Sequence, residues 1–416
     1  MRRPLIATLV IGIFAVVAVS ALQLVPQIRQ FESRAADYIS PSGSTTDNNL
    51  PTQLQYVFMS ILAFGVAALT VTSLRRGRIG LVVIGLLIEL AAVTWICGLY
   101  RLFFQPFPSM FAVALAFIAA DRYTAITQRG RAVTARAFFS DRLSKEQFQR
   151  VISGDIDFDP EAKTYETTVV VCDVANKYDL ADDCEPPVFG RITEDFINRA
   201  TDVFTQAGAY IQTADAEGVV ALFGFPEVDA HHGDKAVRVA LEMVDQFRQA
   251  RLANGDAKCD VHVGVSSGTM VVAPLQNGAR PGLITSGEPV ELARRFCVAN
   301  RFYGSRVLIG PRTFELASRY IVARPIDFLS GVNSRERHEI YEPLWPAAEA
   351  KPEQLARRDC FWNGVVFYRE KRWAEAYSEF QKARGPNEEE DAPLQLYLRR
   401  LEPLALHLAE VPMRQV

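Results

Sequence analysis

"AYIQTADAEGVVALFGF", residues 209–225, decides how the latter part of this chain is read. "AYIQT" and "GVVALFGF" are β-branched and aromatic runs, and between them lies a polar break carrying Asp215 and Glu217. Two apolar runs flanking a short polar turn read as a β-hairpin. The two acids are either solvated turn residues or part of a metal site, since oxygen-rich side chains suit hard divalent cations.

Working outward, the same alternation of elements continues on both sides. "ETTVVVCDV" (166–174) is a buried-strand run, and "VFGRITEDFINRATDVFTQAG" (188–208) has helical periodicity. "GDKAVRVALEMVDQFRQARLANG" (233–255) is a long helix. "CDVHVGVSSGTMVVAPL" (259–275) reads as two strands around a turn at Ser266, Ser267 and Gly268. "EPVELARRFCVANRFYG" (288–304) is a helix and "RVLIG" (306–310) a strand. The order of strands and helices predicts an α+β sandwich with a ferredoxin-like βαββαβ core and additions.

The first quarter of the chain differs in kind. Residues 4–25, 54–74, 79–100 and 102–120 are apolar runs, each near the roughly 20 residues that span a bilayer as a helix. Four transmembrane helices are predicted. Arg2 and Arg3, then Arg75, Arg76 and Arg78, then Arg122, Arg129 and Arg131 all fall on one side of such an arrangement. Positive residues mark the cytoplasmic side, so the remainder is expected in the cytoplasm and the protein in the cell membrane. The segment "AVSA" in the first run also fits a signal-peptide cleavage site, which would leave three spans. The loop 26–53 is external, short and polar. Glu89 is the one ionisable residue within a span, either functional or hydrogen-bonded between helices. Residues 121–160 are expected to be a helical connector, and 352–410 a helical tail. In that tail Gly364, Phe367, Trp373, Ala376, Phe380 and Ala383 have the spacing of a single tetratricopeptide-like repeat.

Several classes are set aside. A net charge of −3 suggests no nucleic-acid partner. The six cysteines form no CxxC pair and suit a reducing compartment. "DIDFDPE" (155–161) has Pro160 where a calcium loop needs glycine. His231 and His232 form a loop pair without further ligands, and Ser266–Ser267–Gly268 is not a nucleophile elbow.

Four segments, in order, carry a family resemblance: "VVVCDV" (169–174), "GVVALFGFP" followed by "GDKAVRVALEM" (218–226 and 233–243), "VHVGVSSGTMVVAPL" (261–275) and "SGEPVELARRFCVANRFYGSRVLIG" (286–310). The region 161–346 resembles a class III nucleotidyl (adenylyl or guanylyl) cyclase domain. The resemblance implies a domain working as a homodimer, or as a heterodimer with another cyclase-like chain. It would convert ATP to 3′,5′-cyclic AMP and pyrophosphate with two Mg²⁺ or Mn²⁺ ions per site.

Carried over position by position, Asp173 matches the first metal carboxylate, and Val174 would offer its backbone carbonyl. Counting back from Phe223 puts the second carboxylate at Glu217. Counting forward from "IQT" puts it at Asp215, because the turn holds one residue more than the family pattern. Asn176 stands where a phosphate cradle is expected, in a turn where asparagine tolerates positive φ. The base-reading positions fall on Thr213 (or Gln212) and on Ile284, neither of the usual type. Glu291 falls at the usual transition-state asparagine, and Arg295 at the usual arginine. Glu291 and Arg295 are also spaced for a helical ion pair. A catalytically degenerate domain serving as a dimeric receptor or scaffold, or the metal-bearing half of a heterodimer, is therefore the alternative to an adenylate cyclase.

Overall fold

The computed structural model describes residues 2–28, 30, 34, 52–72, 76–99, 106–249, 251–252, 257–277, 280–331, 336–385 and 391–410. The chain divides into two units, Met1–Val133 and Thr134–Val416.

The first unit is built on α1 (Arg2–Leu22), α2 (Thr52–Thr72), α3 (Arg76–Leu99) and the start of α4 (Pro106–Phe139). Among the described residues, four helices are long and apolar enough to cross a membrane. Small residues let them approach: Ala15, Ala63, Ala112 and Ala116 are fully buried together. Leu5, Leu81 and Ile88 point outward, as expected of helices that are apolar on all sides. Thr70 and Thr94 donate their hydroxyls to the carbonyls of Val66 and Leu90 one turn back, leaving no unsatisfied polar group there. The fourth predicted span, 102–120, differs from what is found. Its helix starts at Pro106, a residue pre-set for the first helical turn, and runs on to Phe139. Most of the expected external loop 26–53 lies outside the described residues.

In the second unit α5 (Lys145–Ser153) follows, capped by Ser144, which accepts a hydrogen bond from the Gln147 amide. The expected connector is not a bare linker. Phe138, Phe139, Leu143, Val151 and Ile156 are buried in the same cluster as Val169, Val171 and Tyr210 of the sheet.

β1 (Lys163–Val174) is central. Val169 and Val171 enter one apolar cluster, and Val170 and Cys172 the other. The period-two alternation of a strand buried on both faces explains why "VVVC" shows no polar residue. Then come α6 (Lys177–Asp183), α7 (Pro186–Gln206), β2 (Tyr210–Asp215), β3 (Gly218–Phe223), α8 (His232–Gln249), β4 (Val261–Asn277), β5 (Arg280–Ser286) and α9 (Glu288–Tyr303). The additions are β6 (Val307–Ile309), α10 (Pro311–Ala317), β7 (Ile321–Ser330) and β8 (Arg337–Pro346). The sheet order is β2-β3-β1-β4-β6-β8-β7, with β5 paired to β4. Its first four strands have the order that a βαββαβ chain adopts in a ferredoxin-like sheet.

Two local readings are corrected. Ser266–Ser267–Gly268 is not a turn. β4 runs unbroken through it, and Ser266, Ser267 and Gly268 pair with Val169, Thr168 and Thr167 of β1. The Ser267 hydroxyl is satisfied inside the fold, where Oγ lies 2.7 Å from Thr168 Oγ1 and 2.9 Å from Thr313 Oγ1. His232 is not a loop residue but opens α8, buried, with Nδ1 2.7 Å from Thr168 Oγ1. Desolvation pushes its pKa down, so it is held neutral.

Gly264 on β4 sets how closely α9 packs. A Cβ there would sit 2.0 Å from the Ala293 carbonyl oxygen and 2.4 Å from the Cys297 nitrogen. Only glycine brings this helix against the sheet, which places α9 over the end of β1. The tail, α11 (Pro352–Arg369), α12 (Trp373–Lys382) and α13 (Ala392–Glu410), packs on the domain's other additions. Phe361, Phe380, Tyr397 and Leu401 share a core with Phe296, Leu308, Ile326 and Ile340.

Candidate active site

Asp173 is the last-but-one residue of β1. Alternation puts it on the face of Val169 and Val171, which is the face that α9 covers through Ala293 and Cys297. Its carboxylate accepts the Val174 amide at 2.8 Å and takes Lys177 Nζ at 2.6 Å. Burial raises its pKa, Lys177 and the Val174 amide pull it back, and the charge of Asp215 raises it further.

The β2–β3 hairpin delivers the second acid. Asp215 pairs with Gly218 across a two-residue turn, Ala216–Glu217. The extra residue expected in the turn is instead absorbed as a β-bulge at Gln212, between the pairs Ile211–Ala221 and Thr213–Val220. Gly218 has φ +112°, and a Cβ there would meet the Cys172 carbonyl oxygen at 2.5 Å and Asp173 Cβ at 3.2 Å. That glycine brings the turn beside Asp173. The two acids then separate in role. Asp215 accepts the Glu217 amide at 2.8 Å and acts electrostatically on Asp173. Glu217 is 81% exposed and lies 3.6 Å from Arg294 of α9.

The other expected residues are placed as follows. Asn176 has φ −104°, not the positive φ expected, and its Oδ1 accepts the Asp260 amide at 3.3 Å. The expected phosphate turn is therefore not formed in that way. Thr213 lies on β2 after the bulge, and Gln212 keeps a buried amide oxygen without a partner among the described residues. Ile284 pairs with Ala273 on β5 and is 44% exposed. On α9, Arg295 Nε donates to Glu291 at 3.0 Å, while Nη1 donates to the Gly331 carbonyl at 2.7 Å and the Ser330 carbonyl at 3.3 Å. The helical ion pair foreseen from spacing is present.

Adenylate cyclase 1 of Rhizobium meliloti aligns over 180 residues at 22% identity, covering 42% of this chain and 27% of that protein. The cyclase-like region is similar in sequence to adenylate cyclases. The adenylate cyclase of Anabaena cylindrica aligns over 150 residues at 24% identity, covering 36% of this chain and 30% of that protein. An uncharacterised protein of Mycobacterium tuberculosis is 32% identical over 105 residues, 25% of this chain and 18% of that one. The chain thus spans less than a third of the length of each of these relatives. Among solved structures, the adenylyl cyclase CyaB from P. aeruginosa matches 46% of this chain and all of its own at 20% identity and a TM-score of 0.40. The guanylate cyclase domain of RhGC from Catenaria anguillulae, in complex with GTP, matches 44% of this chain and 99% of its own at 19% identity and a TM-score of 0.39. No family model matches the chain.

Class III cyclase domains generally use divalent metal ions. The donors at the end of β1 fit such an ion. A part-buried carboxylate, a backbone carbonyl and a turn acid make a hard, all-oxygen set suited to Mg²⁺ or Mn²⁺. Burial and, to a lesser degree, the charge of Asp215 raise the Asp173 pKa, which a bound cation would offset. Without one, the Lys177 ammonium supplies the counter-charge. This lysine was not singled out from sequence as a partner, although Asp173 and Lys177 have the i, i+4 spacing of a helical ion pair. A divalent ion must displace it. Lys177→Met is therefore expected to tighten Mn²⁺ binding by roughly tenfold, after allowing for solvent screening. Titration of Mn²⁺ into the full-length variant checks this, and unchanged or weaker binding would show that Lys177 does not compete.

Proposed function

We propose that this chain is a membrane-bound nucleotidyl cyclase that converts ATP to 3′,5′-cyclic AMP and pyrophosphate, with its active site at a dimer interface. The observation that carries this reading is the convergence of Asp173 with the acid-bearing β2–β3 turn under α9, in a region related to adenylate cyclases. Asp173, the Val174 carbonyl and Asp215 or Glu217 would hold the metal. A divalent ion bound there lowers the pKa of the 3′-hydroxyl and neutralises the triphosphate. The 3′-hydroxyl would lose its proton to water as its oxygen attacks the α-phosphorus, and the bond to the bridging oxygen would break, so that pyrophosphate leaves with that electron pair. Arg295 would meet charge growing on the α-phosphate once released from Glu291. The exposed α9 and β5 positions, Arg295 and Ile284 among them, would face a second copy of the chain, or a related one.

A second reading rests on a specific observation. Three acids on this face already have an internal cation: Asp173 has Lys177, Glu217 has Arg294 and Glu291 has Arg295. A domain whose charges are settled internally could bind its partner and signal without turnover.

The test is production of cyclic AMP and cyclic GMP by the full-length protein in detergent micelles with Mn²⁺, given ATP or GTP. Cyclic AMP from ATP supports the proposal, and cyclic GMP alone would reverse the substrate assignment. No product from either nucleotide by a folded dimer supports the second reading.

A further inference from the structure

Glu288, Glu336 and His338 lie away from the acids of β1 and the β2–β3 turn in the sequence, yet they meet. One ligand atom from each, two carboxylate oxygens and Nε2 of the imidazole, lies within 4.8 Å of the other two. They come from fixed places. Glu288 is the first residue of α9, and His338 sits on β8 opposite Leu329. Glu336 closes the β7–β8 hairpin, its carbonyl accepting the Gly331 amide at 2.7 Å.

The imidazole supplies an independent observation. His338 Nε2 is buried and makes no hydrogen bond, although a Glu288 oxygen lies 3.2 Å away. The atom is within reach of that carboxylate but out of line for a hydrogen bond. Gly331 closes over it, because a Cβ on that residue would sit 2.6 Å from Nε2. A ring nitrogen screened from water without an aligned hydrogen bond is costly, and such groups call for an explanation. An exposed Glu–His ion pair alone would not bury the nitrogen while leaving it unbonded.

We propose that Glu288, Glu336 and His338 form a metal site, distinct from that at Asp173, for a borderline divalent cation such as Zn²⁺. One imidazole and two carboxylates suit zinc better than Mg²⁺ or Ca²⁺, which prefer all-oxygen sets. Tetrahedral ligands about 2.0–2.2 Å from zinc stand roughly 3.4 Å apart, so the exposed glutamates need close by only about an ångström. Water would complete the shell. The bound ion would fasten the start of α9 to the β7–β8 hairpin, the same two elements that Arg295 joins through Gly331. The inference does not depend on the chain turning over a nucleotide.

The test titrates Zn²⁺ into metal-free full-length protein in detergent micelles. Wild type, His338→Ala, Glu336→Gln and Asp173→Ala are compared, with folding checked by circular dichroism and size exclusion. One zinc equivalent is expected whose affinity falls at least tenfold in His338→Ala and in Glu336→Gln but persists in Asp173→Ala. X-ray absorption of that zinc should show one imidazole with oxygen neighbours and no sulfur. Absence of binding overturns the proposal. So does binding that survives in both His338→Ala and Glu336→Gln, or an equivalent lost only in Asp173→Ala. If His338→Ala fails to fold, the exposed Glu336→Gln decides the matter.

Discussion

Asp173→Ala is expected to lower cyclic-nucleotide formation at least ~100-fold while leaving the fold intact. Removing groups that merely orient metal ligands costs 10–100-fold, so loss of a direct ligand costs no less. Asp173 is the one acid on this face that is both part-buried and anchored in a strand, so no other side chain can take over its place. The protein should stay folded, because the carboxylate is disfavoured by burial and its removal relieves that cost. Lys177 is left without a partner, but it is on the surface side of the site and can turn to water. The same assay separates the two turn acids. Asp215→Ala should approach the loss seen for Asp173→Ala, because Asp215 acts on the Asp173 charge. Glu217→Ala should cost less than about tenfold, since the Glu217–Arg294 pair is largely exposed and such pairs are worth little. Equal activity of Asp173→Ala and wild type would remove Asp173 from the chemistry.

Arg324→Ala is expected to be the most destabilising single change in the second unit. The guanidinium is 8% exposed and serves two acids at once. Its Nη1 and Nη2 donate to Asp391 at 2.8 and 2.7 Å, and Nε donates to Glu342 at 2.8 Å. It also lies 4.3 Å from the centre of the Phe361 ring. β7, β8, α11 and the residue before α13 therefore meet at one side chain. Burial pushes both acids toward the neutral form. Arg324 more than offsets this at Asp391, whose pKa is lowered, but not at Glu342, whose pKa stays raised. Deleting the buried arginine strands two part-buried acids, a loss of about 3–5 kcal/mol for a broken buried pair. At roughly 2–4 °C per kcal/mol for a domain of this size class, the melting temperature should fall by roughly 6–20 °C. The tail should also become sensitive to protease. A melting temperature within a degree or two of wild type would mean that the apolar core of Phe361, Phe380 and Tyr397 holds the tail unaided.

Much of this was visible in the order of residues. "VVVCDV" declared a doubly buried strand ending in an acid, and the helices over 188–206, 233–249 and 288–303 followed from period 3.6. Pattern failed where tertiary partners decide. Two serines and a glycine suggested a turn at 266–268, but Thr168 and Thr313 satisfy the Ser267 hydroxyl and the strand continues. The surplus residue of the hairpin was placed in the turn because bulges leave no mark in composition, and register alone revealed it at Gln212. At the site, residue types and order were readable. The Glu291–Arg295 pair was readable too, but the cations of Asp173 and Glu217 were not, because Lys177 and Arg294 reach them only through the packing of α6 and α9. The meeting of Glu288 with Glu336 and His338, some 50 residues apart, had no local signal at all.

Electron paramagnetic resonance of Mn²⁺ added to full-length protein with a non-cyclisable ATP analogue tests the central claim most directly. Bound Mn²⁺ is expected in wild type, lost in Asp173→Asn and retained in His338→Ala. Identical Mn²⁺ binding by wild type and Asp173→Asn, or none by either, would contradict a shared cation between β1 and the β2–β3 turn.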